Sequence, residues 1–189
     1  KDLPLSEVPE LLTNRWHEVR LCGFLVLVAK FEALAKKKLV NDPEAIRQRD
    51  EILNVYLANA GHANNWDLVD LSAPKILPTA ISEPRQDITD RLAISDNLWK
   101  KRISMVFTWM TSRQGDPSWC LRYAEIHLAH PHDLMHKATG WMLREMGKNV
   151  SMDLLRDFLR QHVHEMPRTT LRYAIEKMPR QEQLFWMKA

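Results

Sequence analysis

The sequence has little glycine, little cysteine and no long apolar run. Five glycines in 189 residues exclude a collagen-like chain and leave long stretches without a turn signal. Two cysteines exclude a disulfide scaffold. Cys22 and Cys120 both sit in helix-like apolar patterns and read as reduced core thiols of a cytosolic protein. The longest apolar run, Leu21 to Ala29, falls well short of the ~20 residues a membrane-spanning helix needs. No secretory signal opens the chain. There is no glycine-rich phosphate loop, and no segment keeps a two-residue alternation bounded by turn signals, so nothing reads as a strand. What is present is ordinary for a globular protein: 45% hydrophobic and 27% charged residues. The length suits a single domain over residues 1–189 with one substantial core.

Helical periodicity dominates. It predicts helices over Ser6–Leu12, Trp16–Lys37, Pro43–Asn59, Trp66–Leu77, Glu83–Ile94, Leu98–Arg113, Pro117–Leu128, Asp133–Gly147, Ser151–His162, Arg168–Met178 and Arg180–Met187. Prolines at 43, 117, 167 and 179 stand where a helix can start but not continue. Gly147 lies where a helix can end, and Ser82 and Ser95 to Asp96 are plausible N-cap regions. The fold class is therefore all-α.

One pattern recurs at the start of the second helix of each pair. It reads Arg20-Leu-Cys22, Asp70-Leu-Ser72, Arg102-Ile-Ser104, Lys137-Ala-Thr139 and Arg172-Tyr-Ala174, at steps of 50, 32, 35 and 35 residues. Such steps fit a helical-repeat solenoid, in which stacked pairs share one continuous core. Stacking would align equivalent helices along one wall and place Arg20, Arg102, Lys137 and Arg172 in a row. The charge balance points the same way. The net charge is +3, but residues 1–97 hold 12 basic and 15 acidic residues, against 15 basic and 9 acidic over 98–189. A basic half suggests a polyanionic partner.

Asp70 interrupts that row. A carboxylate among cations is either an ion pair to a neighbouring Arg or a functional group held ionised by surrounding positive charge. Trp66 is four residues before it and Trp141 four after Lys137, so each indole shares a helix face with its charged neighbour. Spacing alone favours core over site for both indoles. Two indoles and a carboxylate on a basic surface suit a cationic, planar ligand.

Three segments carry a resemblance. Asn65-Trp66-Asp67-Leu68-Val69-Asp70, Ser95-Asp96-Asn97-Leu98-Trp99-Lys100-Lys101-Arg102 and His136-Lys137-Ala138-Thr139-Gly140-Trp141-Met142-Leu143-Arg144-Glu145 closely resemble motifs of the AlkD-like DNA alkylation repair proteins. His17-Glu18-Val19-Arg20, and Met166 to Thr169 followed by Leu171 to Lys177, are similar to the same family. The likeness spans nearly the whole chain, in order. It implies a bacterial HEAT-like repeat solenoid that acts as a monofunctional glycosylase on cationic N3- and N7-alkylated purines in double-stranded DNA. Matched by motif, Asp70 is the catalytic carboxylate and Trp66 and Trp141 contact the sugar of the lesion nucleotide. Arg102 matches an Arg that holds DNA at the lesion, and Arg144 fits a backbone contact. Asn65 stands where some active members carry a further Trp. The resemblance also implies additional N-terminal helices before Lys1.

The residue types suit that chemistry. Alkylation gives the purine a positive charge, so it leaves without a strong general acid. Departure builds cationic character on the deoxyribose. A fixed carboxylate stabilises that charge and can orient or deprotonate the attacking water. Indole faces assist through their quadrupoles, while Arg20, Lys137 and Arg172 would neutralise phosphates without reading sequence. No metal or redox cofactor is required. With no nucleophilic Lys evident, strand cleavage is not expected. The expected protein is a cytoplasmic monomer, nucleoid-associated when acting, with no obligate protein partner. The competing readings are a HEAT-like DNA binder without chemistry and a protein-interaction scaffold.

Other signals carry less. His127, His130, His132 and His136 have metal-like spacing, but Pro131 interrupts them and no Cys lies nearby, so they read as helix-end and surface histidines. His162 and His164 read as exposed. Lys36 to Lys38 suit a helix C-terminus. Asn149-Val150-Ser151 is a glycosylation acceptor only in a secreted chain. Neither cysteine has an evident base to activate it.

Overall fold

A computed structural model describes residues 3–81 and 85–189. Every regular element among the described residues is helical: two 3-10 turns, Leu5–Glu7 and Ala60–His62, and a series of α-helices. These are α1 (Val8–Leu12), α2 (His17–Leu34), α3 (Pro43–Ala58), α4 (Trp66–Ala80), α5 (Gln86–Ala93), α6 (Leu98–Val106), α7 (Thr108–Arg113), α8 (Ser118–His127), α9 (Asp133–Asn149), α10 (Met152–His162), α11 (Arg168–Ile175) and α12 (Arg180–Lys188). The all-α expectation holds. Ser82 and the predicted helix start at Glu83 lie outside the described residues. The chain forms two compact units, Lys1–Ile103 and Ser104–Ala189, with the boundary inside α6.

Local chemistry sets the helix starts. Asp42 accepts the Ala45 N–H at 2.8 Å, with Pro43 in the first turn of α3. Asn97 accepts from Trp99 and Lys100 at 2.9 and 3.2 Å. It, rather than Ser95 or Asp96, caps α6. Ser151 accepts from Leu154 at 3.3 Å and opens α10.

In the first unit α2 packs on α1, α3 and α4. Phe24, Leu27 and Phe31 of α2 meet a core that includes Leu53, Tyr56, Leu68 and Ile76, all essentially inaccessible. Each such side chain contributes about 1.5–3 kcal/mol when fully buried. Phe24 and Tyr56 pack edge to face at 5.9 Å. Arg49 is buried too. Its guanidinium donates to the Leu34 and Val40 carbonyls at 2.9 and 2.6 Å and so satisfies the C-terminal end of α2 and the segment after it. Two side-chain contacts fix the sense of α2 and α4. His17 and Asp67 join their first turns at 2.8 Å, and Glu32 and Lys75 join later turns at 3.1 Å. The two helices therefore run parallel, as equivalent helices of successive repeats should.

In the second unit α9 packs most extensively on α11, and also on α7, α8 and α10. Gly140 explains the closeness. A Cβ there would lie 2.4 Å from the Thr170 carbonyl oxygen and 2.5 Å from Tyr173 Cβ. One turn further on, Arg144 reaches Glu176, so α9 and α11 are also parallel. Phe107, Trp119 and Tyr123 form an aromatic cluster with ring centres 5.6–6.3 Å apart.

Several boundaries differ from the sequence reading. The predicted helix Leu98–Arg113 breaks at Phe107. The hydroxyls of Thr108 and Thr111 donate back to the carbonyls of Met105 and Thr108, at 2.7 and 3.0 Å, which loosens the helical ladder. α9 does not stop at Gly147. That glycine is a packing position, since a Cβ there would meet Leu155 at 2.8 Å. α4 continues through Pro74 and Pro78 to Ala80. Cys120 is buried as expected, but Cys22 is exposed. It lies two residues before Phe24, about 200° around the helix from the buried face.

Candidate functional site

α4 begins at Trp66 because the Asn65 side chain accepts the Trp66 N–H at 2.8 Å. The next residue, Asp67, accepts the Leu68 N–H at 2.9 Å and pairs with His17. One turn later stands Asp70, on the same face as Trp66. Trp66 is 55% exposed. It is not a core residue, and its indole is open to a ligand. Pro74 has no N–H to offer the Asp70 carbonyl, so the usual helical bond is missing at this turn.

Asp70 is held by α6. Arg102 donates from Nε to Oδ1 at 3.0 Å and from Nη2 to Oδ2 at 2.9 Å. This is the forked geometry that fixes a carboxylate in orientation as well as in place. The Arg102 side chain is 5% exposed and that of Asp70 14%. Burial pushes the Asp70 carboxyl above the ordinary carboxylate range. The hydrogen bonds and charge of Arg102 pull it down, and Asp67 adds a smaller upward push. Asp70 is thus ion-paired to a neighbouring Arg, the first of the two alternatives left open for it, and a small part of its side chain still reaches solvent.

The remaining expected site residues divide between the units. Arg20, on α2, donates through Nη1 to the carbonyls of Asn14 and Arg15 at 2.8 and 3.0 Å. In the second unit Trp141 is half-buried on α9. Lys137 pairs with Asp133 at 2.7 Å and holds that carboxyl below its usual range. Arg144, 16% exposed, pairs with Glu176 and with Glu145, the latter at 3.5 Å, and its buried Nε has no hydrogen-bond partner. Arg172 is exposed on α11. Within the first unit, Arg102 is brought onto the carboxylate and Arg20 onto backbone carbonyls.

Three features escaped the sequence reading. One is the His17–Asp67 pair. The second is Trp16, 58% exposed, with the Arg15 guanidinium 4.7 Å from its ring centre. Of the seven tryptophans only Trp16 and Trp66 are more than half exposed. The third is that the 50-residue step, already read for Arg20 and Asp70, aligns a second pair. His17 to Asp67 spans the same 50 residues as Arg20 to Asp70, so the repeat step alone is a signal that pairs these two residues.

A family model described as DNA alkylation repair enzyme matches residues 1–178 of the chain. The chain belongs to that family. No curated protein and no solved structure gives a match. As a member of the DNA alkylation repair enzyme family the chain is a DNA repair enzyme, and DNA is the substrate that membership implies. The match takes in α1 to α11, with both Trp66–Asp70–Arg102 and the Trp141–Arg144 segment inside it.

Three of the expected surface and helix-end histidines have structural partners. His127 is buried, and its Nε2 lies 2.8 Å from the Ser104 hydroxyl. His132 caps α9 by accepting the Leu134 N–H at 3.1 Å, and His136 bonds the His130 carbonyl. Among the described residues no three His, Cys, Asp or Glu side chains converge as a metal set. Burial pushes the Cys120 thiol up to about 12, which leaves it unreactive near neutrality. Among the described residues no helix is long and apolar enough to cross a membrane.

Proposed function

We propose that the protein hydrolyses the N-glycosidic bond of cationic N3- and N7-alkylated purines in duplex DNA. The observation that carries this reading is Asp70, forked by a buried Arg102 and one helical turn from the exposed indole of Trp66. A carboxylate fixed in this way needs no reorganisation as charge develops, which is the condition for electrostatic catalysis.

The alkylated purine leaves with the bonding electron pair and becomes neutral. The deoxyribose is left with cationic character at C1′. Asp70 stabilises that charge and takes a proton from the water that attacks C1′, so the products are a free base and an abasic site. The face of Trp66 adds attraction for the sugar cation, and Trp141 has the same assignment in the second unit. Arg102 is a positioning residue, aiming the carboxylate. Lys137, Arg144, Arg172 and Arg20 are assigned to the DNA backbone, where contacts set position rather than sequence preference. Because the lesion supplies its own charge, neutral lesions such as uracil are poor substrates. We read the helix pairs as HEAT-like repeats of one domain, acting as a monomer on DNA in the cytoplasm.

The test is release of 7-methylguanine from a duplex, with Asp70→Asn alongside. Release that the substitution abolishes while DNA binding persists supports the reading. Release that survives it removes Asp70 from the chemistry. Binding without release favours a second reading, a DNA-binding relative in which the Asp70–Arg102 fork is only a structural tie. Uracil release at a similar rate would overturn the charge-based mechanism.

A further inference from the structure

An exposed tryptophan is unusual, because leaving an indole in water forgoes much of its burial energy. Trp16 is left exposed and is also held in place. Its backbone N–H donates to the Asn14 side-chain oxygen at 3.0 Å. Arg20 donates to the two preceding carbonyls, at 2.8 and 3.0 Å. The Arg15 guanidinium lies over the ring at 4.7 Å. The next residue, His17, bonds Asp67 at 2.8 Å, and Asp67 is itself the neighbour of Trp66. The two exposed indoles thus stand at the first turns of two parallel helices, each one residue before a member of the bonded pair. None of these contacts buries Trp16. They fix its backbone and leave the ring presented, which lowers the ordering cost of binding.

We propose that Trp16, backed by Arg15, is a second nucleotide-contact element of the DNA-binding surface. Its indole takes the face of a base or deoxyribose beside the nucleotide met by Trp66, and Arg15 neutralises the adjoining phosphate. Stacking on an indole is tolerant of sequence because every base has a π face. It suits a protein that reads damage rather than sequence. Arg20, besides its assignment to the DNA backbone, steadies residues 14–15 through its Nη1. The inference rests on the DNA-repair reading of the Asp70 site but not on its chemistry.

The experiment uses the full chain and a duplex with a single 7-methylguanine, titrated at two salt concentrations. Trp16→Ala is expected to weaken binding about tenfold with the salt dependence unchanged, since the lost contact is not ionic. Arg15→Ala is expected to lower the slope of log affinity against log salt by about one. Chain labelled with 5-fluorotryptophan gives a second readout independent of any folding defect. The resonance lost in Trp16→Phe is expected to shift when DNA is added. Unchanged affinity in Trp16→Ala, or a Trp16 resonance that DNA does not move, overturns the proposal. Free base measured in the same tubes separates the two readings. Release without Trp16 dependence sinks only this inference, whereas Trp16-dependent binding without release sinks only the glycosylase reading.

Discussion

Arg102→Met removes the cation that holds Asp70 and leaves a nearly isosteric apolar stem. Both pulls that lower the Asp70 carboxyl come from Arg102, so the variant keeps the burial that raises it and loses what opposed it. Removing one partner of a buried pair costs about 3–5 kcal/mol. Asp70 retains 14% exposure, which puts the expected loss at the low end, about 3 kcal/mol. With a urea slope of about 2 kcal/mol per molar, the midpoint falls by about 1.5 M. The loss has a pH signature. In the variant the folded Asp70 binds its proton more tightly than the unfolded one. The native state therefore holds more protons between the ordinary Asp value and the raised folded value, and stability falls as pH rises through that window. The deficit is smallest in acid and largest above it. Asp70→Asn/Arg102→Met removes the stranded charge and recovers about 2 kcal/mol. Urea unfolding at several pH values, followed by far-ultraviolet ellipticity, reads all of this. A pH-independent loss below about 1 kcal/mol would show that the pair is solvated, and the fork would then not be the scaffold of the site.

The remaining outcomes concern packing and the reaction. Gly140→Ala drives a methyl group into the Thr170 carbonyl and Tyr173, and a thermal melt should show a loss of about 2–3 kcal/mol. A wild-type melting temperature there would mean that α9 and α11 lie further apart than this contact requires. Tyr56→Phe strips a buried hydroxyl from Ser72, 3.1 Å away, and should cost about 1 kcal/mol in urea unfolding. Trp66→Ala, at a half-exposed position, should change stability by no more than about 0.5 kcal/mol. It should nonetheless slow 7-methylguanine release about tenfold in single-turnover assays. The acid limb of that release should have its midpoint above the ordinary Asp value of about 3.9, because burial raises the Asp70 carboxyl and the ionised form is the active one. A midpoint below that value would assign the limb to another group.

Periodicity and proline placement are enough to read the helices, because both act within a few residues. The ends are harder. The break at Phe107 depends on two threonine hydroxyls that turn back onto the helix, and composition does not separate that from a threonine facing solvent. Gly147 reads as a stop because a glycine that ends a helix and one that admits a neighbouring leucine are the same letter. The repeat pattern is legible where it matters most. Asp70 and Arg102 are aligned by a step of 32 residues, and they meet in the fold. Burial is not legible. Spacing favours the core for Trp66, which the fold leaves exposed, and it makes Cys22 a core thiol although that residue falls on the outer face of α2. Nothing in the sequence marks the contacts of Arg20 with the Asn14 and Arg15 carbonyls, since they depend on how residues 14–16 turn before α2.

The arrangement around Asp70 bears on why such a site can remain open. A neutral leaving group must be protonated as it departs, and an enzyme that does this usually encloses the base against a general acid. A base that already carries charge removes that requirement. What remains is to hold one carboxylate and one ring face at fixed positions, and both come from a single turn of α4. The support comes from below that turn: Arg102 grips the carboxylate from α6, and His17 ties Asp67 from α2. In the proposed site, neighbouring helices at repeat spacing supply these supports without needing walls around the ligand. The specificity that walls would provide must then come from the lesion's own lability. In the proposed reaction, bulk on the alkyl group should therefore matter far less than its charge, and a large cationic adduct at N7 should be released at a rate near that of 7-methylguanine. Exclusion of the bulky adduct with full activity on the small one would mean that the open face of Trp66 closes when DNA is bound.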